Sequence, residues 1–338
     1  MNVSSAPSPS RPPASRRPDR PLLAIGLRLM AMTMLSTMFM LIKLAGSRGV
    51  SAPEMVFWRQ AMAVPLMAGW LLATGRLGML KTGRLRNHAM RATTGTLGLV
   101  CNVTAAMLLP LPVGTTLGFT APLFAVLITA LVMREHVGRW RWTAVVLGFI
   151  GVLLITRPGE QAVPLAGLAA GLGAGVIVAV VSFQIRDLAR TEEPIACVFW
   201  FSFFGALFAA VLLPFYGQSH PPQVWLLLVA VGLAGTLAQL LITAALRYGA
   251  VATVVVMDYS ALIWATLYER TIFGSLPPAS IWLGAPLIVA AGLIITWREH
   301  TLAKRISPTS ALDEGATEES LGEAGPAIET SAPALQRT

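Results

Sequence analysis

A chain of 338 residues that is 55% hydrophobic and only 12% charged, with a mean hydropathy of +0.68, excludes a soluble core-and-surface domain, which would carry large exposed apolar patches at that composition. It reads as an all-α integral membrane protein, with the lipid bilayer as its first partner. The net charge of +9 would also suit nucleic acid, but the basic residues are dispersed over connectors between apolar runs, so no nucleic-acid partner is expected.

The chain opens with "MNVSSAPSPSRPPASRRPDRP", rich in Pro, Ser and Arg and too poor in apolar residues to fold, so residues 1–21 are read as a disordered basic tail. About 20 apolar residues cross a hydrocarbon core of roughly 30 Å as a helix. Dividing the chain at charged or Pro/Gly-rich clusters leaves ten such spans, at 23–44, 54–74, 91–110, 112–133, 140–157, 165–185, 194–214, 222–246, 250–272 and 279–297. The first is too long for a secretory signal, and no small-residue cleavage site precedes Pro53. Residues 299–338 are acidic and free of aromatic residues and are read as a second disordered tail. Arg and Lys gather before the first span and after the second, fourth, sixth, eighth and tenth, against only Arg48, Arg157 and Arg270 on the other side; this bias predicts both termini in the cytoplasm. Cys101 and Cys197 fall inside spans, where small buried hydrophobes are expected and no disulfide.

The chain repeats itself. "GTLGLVCNVTAAML" at 95 matches "GTLAQLLITAALRY" at 235, an offset of 235 − 95 = 140, and Gly151 of "GFIGVLLITRPG" matches Gly292 of "VAAGLIITWRE", an offset of 292 − 151 = 141. The result is two halves, 22–158 and 159–298, each with five spans. Because five is odd, the second half enters the membrane from the opposite side, which is the inverted repeat of transporters that bind substrate near the midplane.

Two stretches carry a family resemblance. "LGFTAPLFAVLITALVMREHVGRWRWTAVVLGFIGVLLITRPG", with Pro122 in the fourth span and Glu135 at its end, is similar to the end of an EamA domain of the drug/metabolite transporter superfamily. "GLAGTLAQLLITAALRYGAVATVVVMDYSALIWATLYERTIFGSLP" resembles the matching part of a second EamA domain, with Tyr259, Leu262, Trp264 and Ala265 in the ninth span. The resemblance covers about residues 22–298 and implies ten transmembrane helices as two inverted five-helix repeats that move small metabolites, without specifying which. Where the family's ninth helix ends Phe-Gly-Glu, this chain has Phe273-Gly274-Ser275, and a Glu269-Arg270 pair stands earlier. Glu269 is therefore expected to take over the task of the missing carboxylate.

Within the spans, polar residues are the candidates for function. Asp258 alone among the acidic residues is placed deep, at roughly 2.5 to 3.5 kcal/mol on insertion scales, and such residues face the bundle interior or a wet cavity. Its helical stripe runs through Leu262, Ala265 and Glu269. A substrate contact or proton site and an Asp bonded to a neighbouring helix are both open. Arg59 is taken as its counterpart, about 9 Å away along the membrane normal by helix rise, with a bound molecule between them; an Arg snorkelling outward is the competing reading. Lys43, at the end of the first span, is expected to snorkel. Asn102 and Gln239, in the corresponding third and eighth spans, are expected to face a shared axis, and Tyr259 and Trp264 to stack on a planar ligand or pack in the core. The small-residue run "GLAAGLGAG" at 167–175 reads as close helix packing.

His88, His136, His220 and His300 lie in loops or at span ends, without metal-ligand spacing, and no nucleotide-binding loop is present. No catalytic residue, metal or cofactor is expected. The function expected is an inner-membrane secondary transporter of a small metabolite, working by alternating access and driven by a gradient. A polytopic membrane enzyme such as an acyltransferase and a channel are the rival classes, and a homodimer is allowed for.

Overall fold

Pro21, whose missing N–H is no loss in a first helical turn, opens a helix that runs unbroken to Gly46. The structure, a computed structural model, describes residues 20–156, 164–248, 256–299 and 301. The two tails read as disordered lie outside these residues, apart from Arg20, Pro21, Glu299 and Thr301, as does the junction at 249–255 between the eighth and ninth spans. All described secondary structure is helical: α1 (Pro21–Gly46), α2 (Ala52–Ala73), α3 (Leu85–Leu108), α4 (Leu111–Gly118), α5 (Ala121–Leu131), α6 (Arg139–Ile155), α7 (Leu165–Leu188), α8 (Pro194–Ala210), a single turn α9 (Leu213–Tyr216), α10 (Pro222–Tyr248) and α11 (Ala261–Thr271), then α12 (Ile281–Glu299). Short 3-10 turns occupy Leu77–Leu80 and Met257–Ser260. The described residues up to Ile295 form one compact unit; from Thr296 on they are the end of α12.

Five of these helices, and α4 with α5 taken together (Leu111–Leu131), are long and apolar enough to cross a bilayer, and their outer faces suit lipid. On α6, Val146, Ile150 and Leu153 are exposed at helical spacing, while Ala144, Val145, Gly148, Gly151 and Val152 are buried. Such an apolar stripe would be a liability in water and is the expected surface in hydrocarbon. The bundle closes by pairing α1 with α10, α3 with α7, and α2 with α8 and α10.

Three expectations need correction. The third span begins at Leu85 rather than Arg91, so His88 and Arg91 are helical and buried. The seventh ends at Ala210, with α9 following as a separate turn. The fourth span is not continuous: it breaks at Phe119 and Thr120 between α4 and α5. Pro122 causes the break, because its ring cannot donate to the carbonyl of Gly118 and would clash with it in a straight helix, yet it is tolerated in the first turn of a new one. Thr116 and Thr120 donate their hydroxyls to the Pro112 and Leu117 carbonyls (2.7 and 2.6 Å), satisfying groups near the break.

The second repeat reproduces this geometry. Helix α11 begins and ends at the same offset from α5 (261 − 121 = 140 and 271 − 131 = 140). Past each helix a residue adopts positive φ, Arg134 at 55° and Gly274 at 67° (274 − 134 = 140). The Met257–Ser260 turn precedes α11 as α4 precedes α5, and Ser260 donates its hydroxyl to the Met257 carbonyl (2.7 Å). Leu262 stands where Pro122 does, so proline is not what imposes the irregular turn in this half.

The glycines of α7 explain how it comes so near the broken span. A Cβ on Gly167 would lie 2.6 Å from Leu109 Cδ2, one on Gly171 2.7 Å from Leu117 Cδ1, and one on Gly175 2.5 Å from Thr120 Oγ1. The 167–175 run is thus a close-packing stripe against the end of α3, α4 and the break. Between α6 and α12, Gly151 and Gly284 each face the other's carbonyl oxygen (2.7 and 2.5 Å from an added Cβ).

Candidate functional site

Both irregular turns open onto one cavity of roughly 590 Å³ in the middle of the bundle. Its ionisable lining is Arg28 of α1, Arg59 of α2, Asp258 and Tyr259. Asn102 of α3 and Gln239 of α10 line it as well, so the two amides do face a common space. Gly118, Phe119 and Pro122 from the break in the fourth span complete the wall, the first two being the counterparts of Asp258 and Tyr259 in the sequence repeat.

Asp258 is bound by Arg28, not by Arg59. The Arg28 Nε and Nη2 groups donate to its two carboxylate oxygens at 2.5 and 2.6 Å, the fork geometry that suits guanidinium and carboxylate. The Arg28 side chain is 9% exposed and that of Asp258 27%, the carboxylate being the one open to the cavity. The third nitrogen, Nη1, is buried without a hydrogen-bond partner. Arg28 is absent from the sequence-derived candidates, although the depth reasoning applied to Arg59 would have found it: five residues into the first span, at 1.5 Å per residue, it lies about 8 Å from the same surface that Asp258 stands about 12 Å from.

Arg59 is neither snorkelling nor ion-paired. Its Nε donates to Met38 Sδ (3.3 Å) and its Nη1 to Gln60 Oε1 (3.0 Å), and no carboxylate among the described residues bonds to it. Asn102 donates to the Gly98 carbonyl one turn back (3.1 Å). Tyr259 stacks edge-on against Phe119, ring centres 4.8 Å apart at 69°. These two residues are each other's images in the repeat, since 259 − 119 = 140. Trp264 does not line the cavity; it packs on Tyr268 at 6.2 Å, the core role.

Where α1 ends, a second carboxylate is buried. Glu269 is 2% exposed and accepts from Lys43 Nζ (2.8 Å to each oxygen), from the Leu111 backbone N–H (2.9 Å) and from the Ser275 hydroxyl (2.6 Å). Lys43 therefore turns inward rather than snorkelling, its ammonium also 4.6 Å from the centre of the Phe273 ring. Ser275 occupies the position of the family's usual Glu. Its repeat image is Glu135 (275 − 135 = 140), and the image of Glu269 is Thr129 (269 − 129 = 140). Between the halves, carboxylate and hydroxyl have changed places, and Glu135 is exposed. Glu54, also 2% exposed, pairs with His220 Nε2 at 3.0 Å on this same side. Glu54 and Glu269 are thus buried at helix ends, whereas Asp258 is the acid that lines the cavity among the described residues. On the opposite side Arg84 bonds Asp187 and Thr191, and His88 lies 3.5 Å from Glu192.

The model of the EamA-like transporter family matches residues 22–157 and 165–297. The chain belongs to this family. Among proteins similar to this transporter is a riboflavin transporter of Vibrio cholerae, 30% identical over 260 residues that cover 76% of this chain and 87% of that one. The pseudopaline exporter CntI of Pseudomonas aeruginosa is 27% identical over 273 residues, 80% of this chain and 94% of its own. An S-adenosylmethionine uptake transporter of Rickettsia bellii is 22% identical, over 84% of this chain and 97% of its own. A solved crystal structure of 20% identity, covering 82% of this chain and 98% of its own with a TM-score of 0.56, shares the fold. The protein is accordingly a multi-pass membrane transporter of two inverted five-helix repeats, and not an enzyme.

Proposed function

We propose that this transporter carries a small metabolite across the inner membrane by alternating access, driven by a gradient of ion or solute, with both termini in the cytoplasm. The observation that carries the reading is the cavity of roughly 590 Å³, a size typical of small-molecule sites, flanked at matching repeat positions by the break at Phe119 and Thr120 and the turn at Met257–Ser260. Discontinuous helices at a repeat interface are where carriers of inverted architecture hold their substrate. Relatives named for riboflavin, pseudopaline and S-adenosylmethionine support a metabolite as cargo. Arg59, Asn102, Gln239 and Tyr259 touch the substrate in this reading, and Asp258 either contacts it or couples its passage to a proton.

The test is counterflow in proteoliposomes, using a solute picked out by screening a deletion strain against a metabolite panel. Saturable uptake that accelerates when the lumen is preloaded with the same solute is expected. Flux linear in concentration would mark a channel instead, and a chemically altered solute an enzyme.

A further inference from the structure

We infer that the cavity takes an organic monoanion, its carboxylate received by Arg59 and its body filling the space beside Phe39, Phe119 and Tyr259. The inference deepens the carrier reading and rests on it. Among the described residues, the ionisable groups lining the cavity are Arg28, Arg59, Asp258 and the phenol of Tyr259. Arg28 and Asp258 cancel in a two-point ion pair. What remains is one positive charge on Arg59. Two further buried acids, Glu269 and Glu54, do not line the cavity; Glu269 is held by Lys43, Leu111 and Ser275 and Glu54 by His220.

A guanidinium has five N–H donors. Arg59 gives one to Met38 Sδ and one to Gln60 Oε1, both neutral acceptors, which leaves three for a guest. The group lies close against α10: a Cβ on Gly235 would lie 3.2 Å from Arg59 Nε and 2.9 Å from Met38 Sδ, so an alanine there would push on both side chains. A cation kept in an apolar bundle without a counter-ion is expensive unless an anion joins it, and a planar carboxylate meets a guanidinium fork in two parallel bonds. The amides of Asn102 and Gln239 line the same cavity; Asn102 spends one N–H on the Gly98 carbonyl and keeps its Oδ1 and second N–H to orient the rest of the molecule. Carboxylate rather than phosphomonoester follows from the single unpaired charge, because a phosphomonoester brings nearly two.

Matched pairs differing only in charge test this in the purified full-length protein in lipid nanodiscs: nicotinate with nicotinamide, indole-3-acetate with indole-3-acetamide, 4-hydroxybenzoate with its amide, and flavin mononucleotide with riboflavin for the phosphate arm. Equilibrium dialysis and the shift in Tm are read for each. In at least one pair the acid binds tenfold or more tighter than the amide. Arg59→Gln abolishes that preference, Arg59→Lys retains part of it, and Gly235→Ala weakens the acid alone while keeping the charge. A preference that survives Arg59→Gln overturns the proposal. So does equal binding of acid and amide. If only neutral solutes bind, and Ala106→Trp in the cavity wall abolishes their binding, the monoanion is wrong and the carrier reading stands. Tighter binding of flavin mononucleotide than of any carboxylate overturns the monocarboxylate choice.

Discussion

Arg28 and Asp258 form a pair whose value lies in being complete. Removing one partner leaves a charge in a poorly hydrated bundle, a loss of about 3–5 kcal/mol for fully buried pairs and less here, because Asp258 keeps 27% of its side chain open. Arg28→Met and Asp258→Leu should each lower the Tm of the purified protein, and the double variant should recover most of the loss. Additive losses would show that the two do not act as a unit. Asp258→Asn separates roles further: a proton-coupling group predicts retained exchange with lost pH-driven accumulation, a purely structural one a lowered Tm with a normal pH profile. At the other end, Glu269→Gln deprives Lys43 of its counter-ion, and transport should fall several-fold. Adding Ser275→Glu puts a carboxylate one hydrogen bond from the old one and should restore part of the rate. An unimpaired Glu269→Gln protein would dispose of the substitution idea.

Among the elements, α7 is constrained by glycine contacts at three successive turns, Gly167, Gly171 and Gly175. Gly171→Leu drives a side chain into Leu117, and overpacking of this kind typically costs about 1–3 kcal/mol. Gly69→Ala, on α2 with nothing within 4 Å of the added carbon, should leave stability unchanged or raise it by up to about 1 kcal/mol. Equal Tm values for the two variants would refute the packing role of the stripe. The spans and the repeat are legible in the sequence because hydropathy and offset are properties of the chain itself: the 140-residue offset of two motifs reappears in the ends of α5 and α11. The glycine stripe is legible for the same reason. Pairings that depend on which helices meet are not. Arg28 and Asp258 are 230 positions apart, and nothing local marks one as the other's partner; depth admits Arg28 as well as Arg59 and does not say which of them turns toward the carboxylate. The break at Thr120 is written in Pro122, but its twin at Met257–Ser260 has no proline to announce it.

For the whole molecule, the proposed sidedness rests on the charge distribution. In a background lacking Cys101 and Cys197, a cysteine at Lys81 should react with an impermeant maleimide only after lysis, whereas one at Gln218 should react in intact cells; both positions are exposed. The reverse pattern would invert the proposed orientation. The contact between Phe119 and Tyr259 has a special place in such a molecule, because it joins a residue to its own image. In the proposed alternating-access cycle, a carrier of two inverted copies would reach its second state when each copy takes up the shape of the other. That exchange would carry the two rings onto each other, making them a pivot whose packing need not be remade. The clasp between Arg28 and Asp258 has no such image, since Gly118 stands in the place of Asp258 (258 − 118 = 140). In the proposed cycle it would fasten one of the two states alone. The two orientations would then be unequal in energy, giving the empty carrier a resting side.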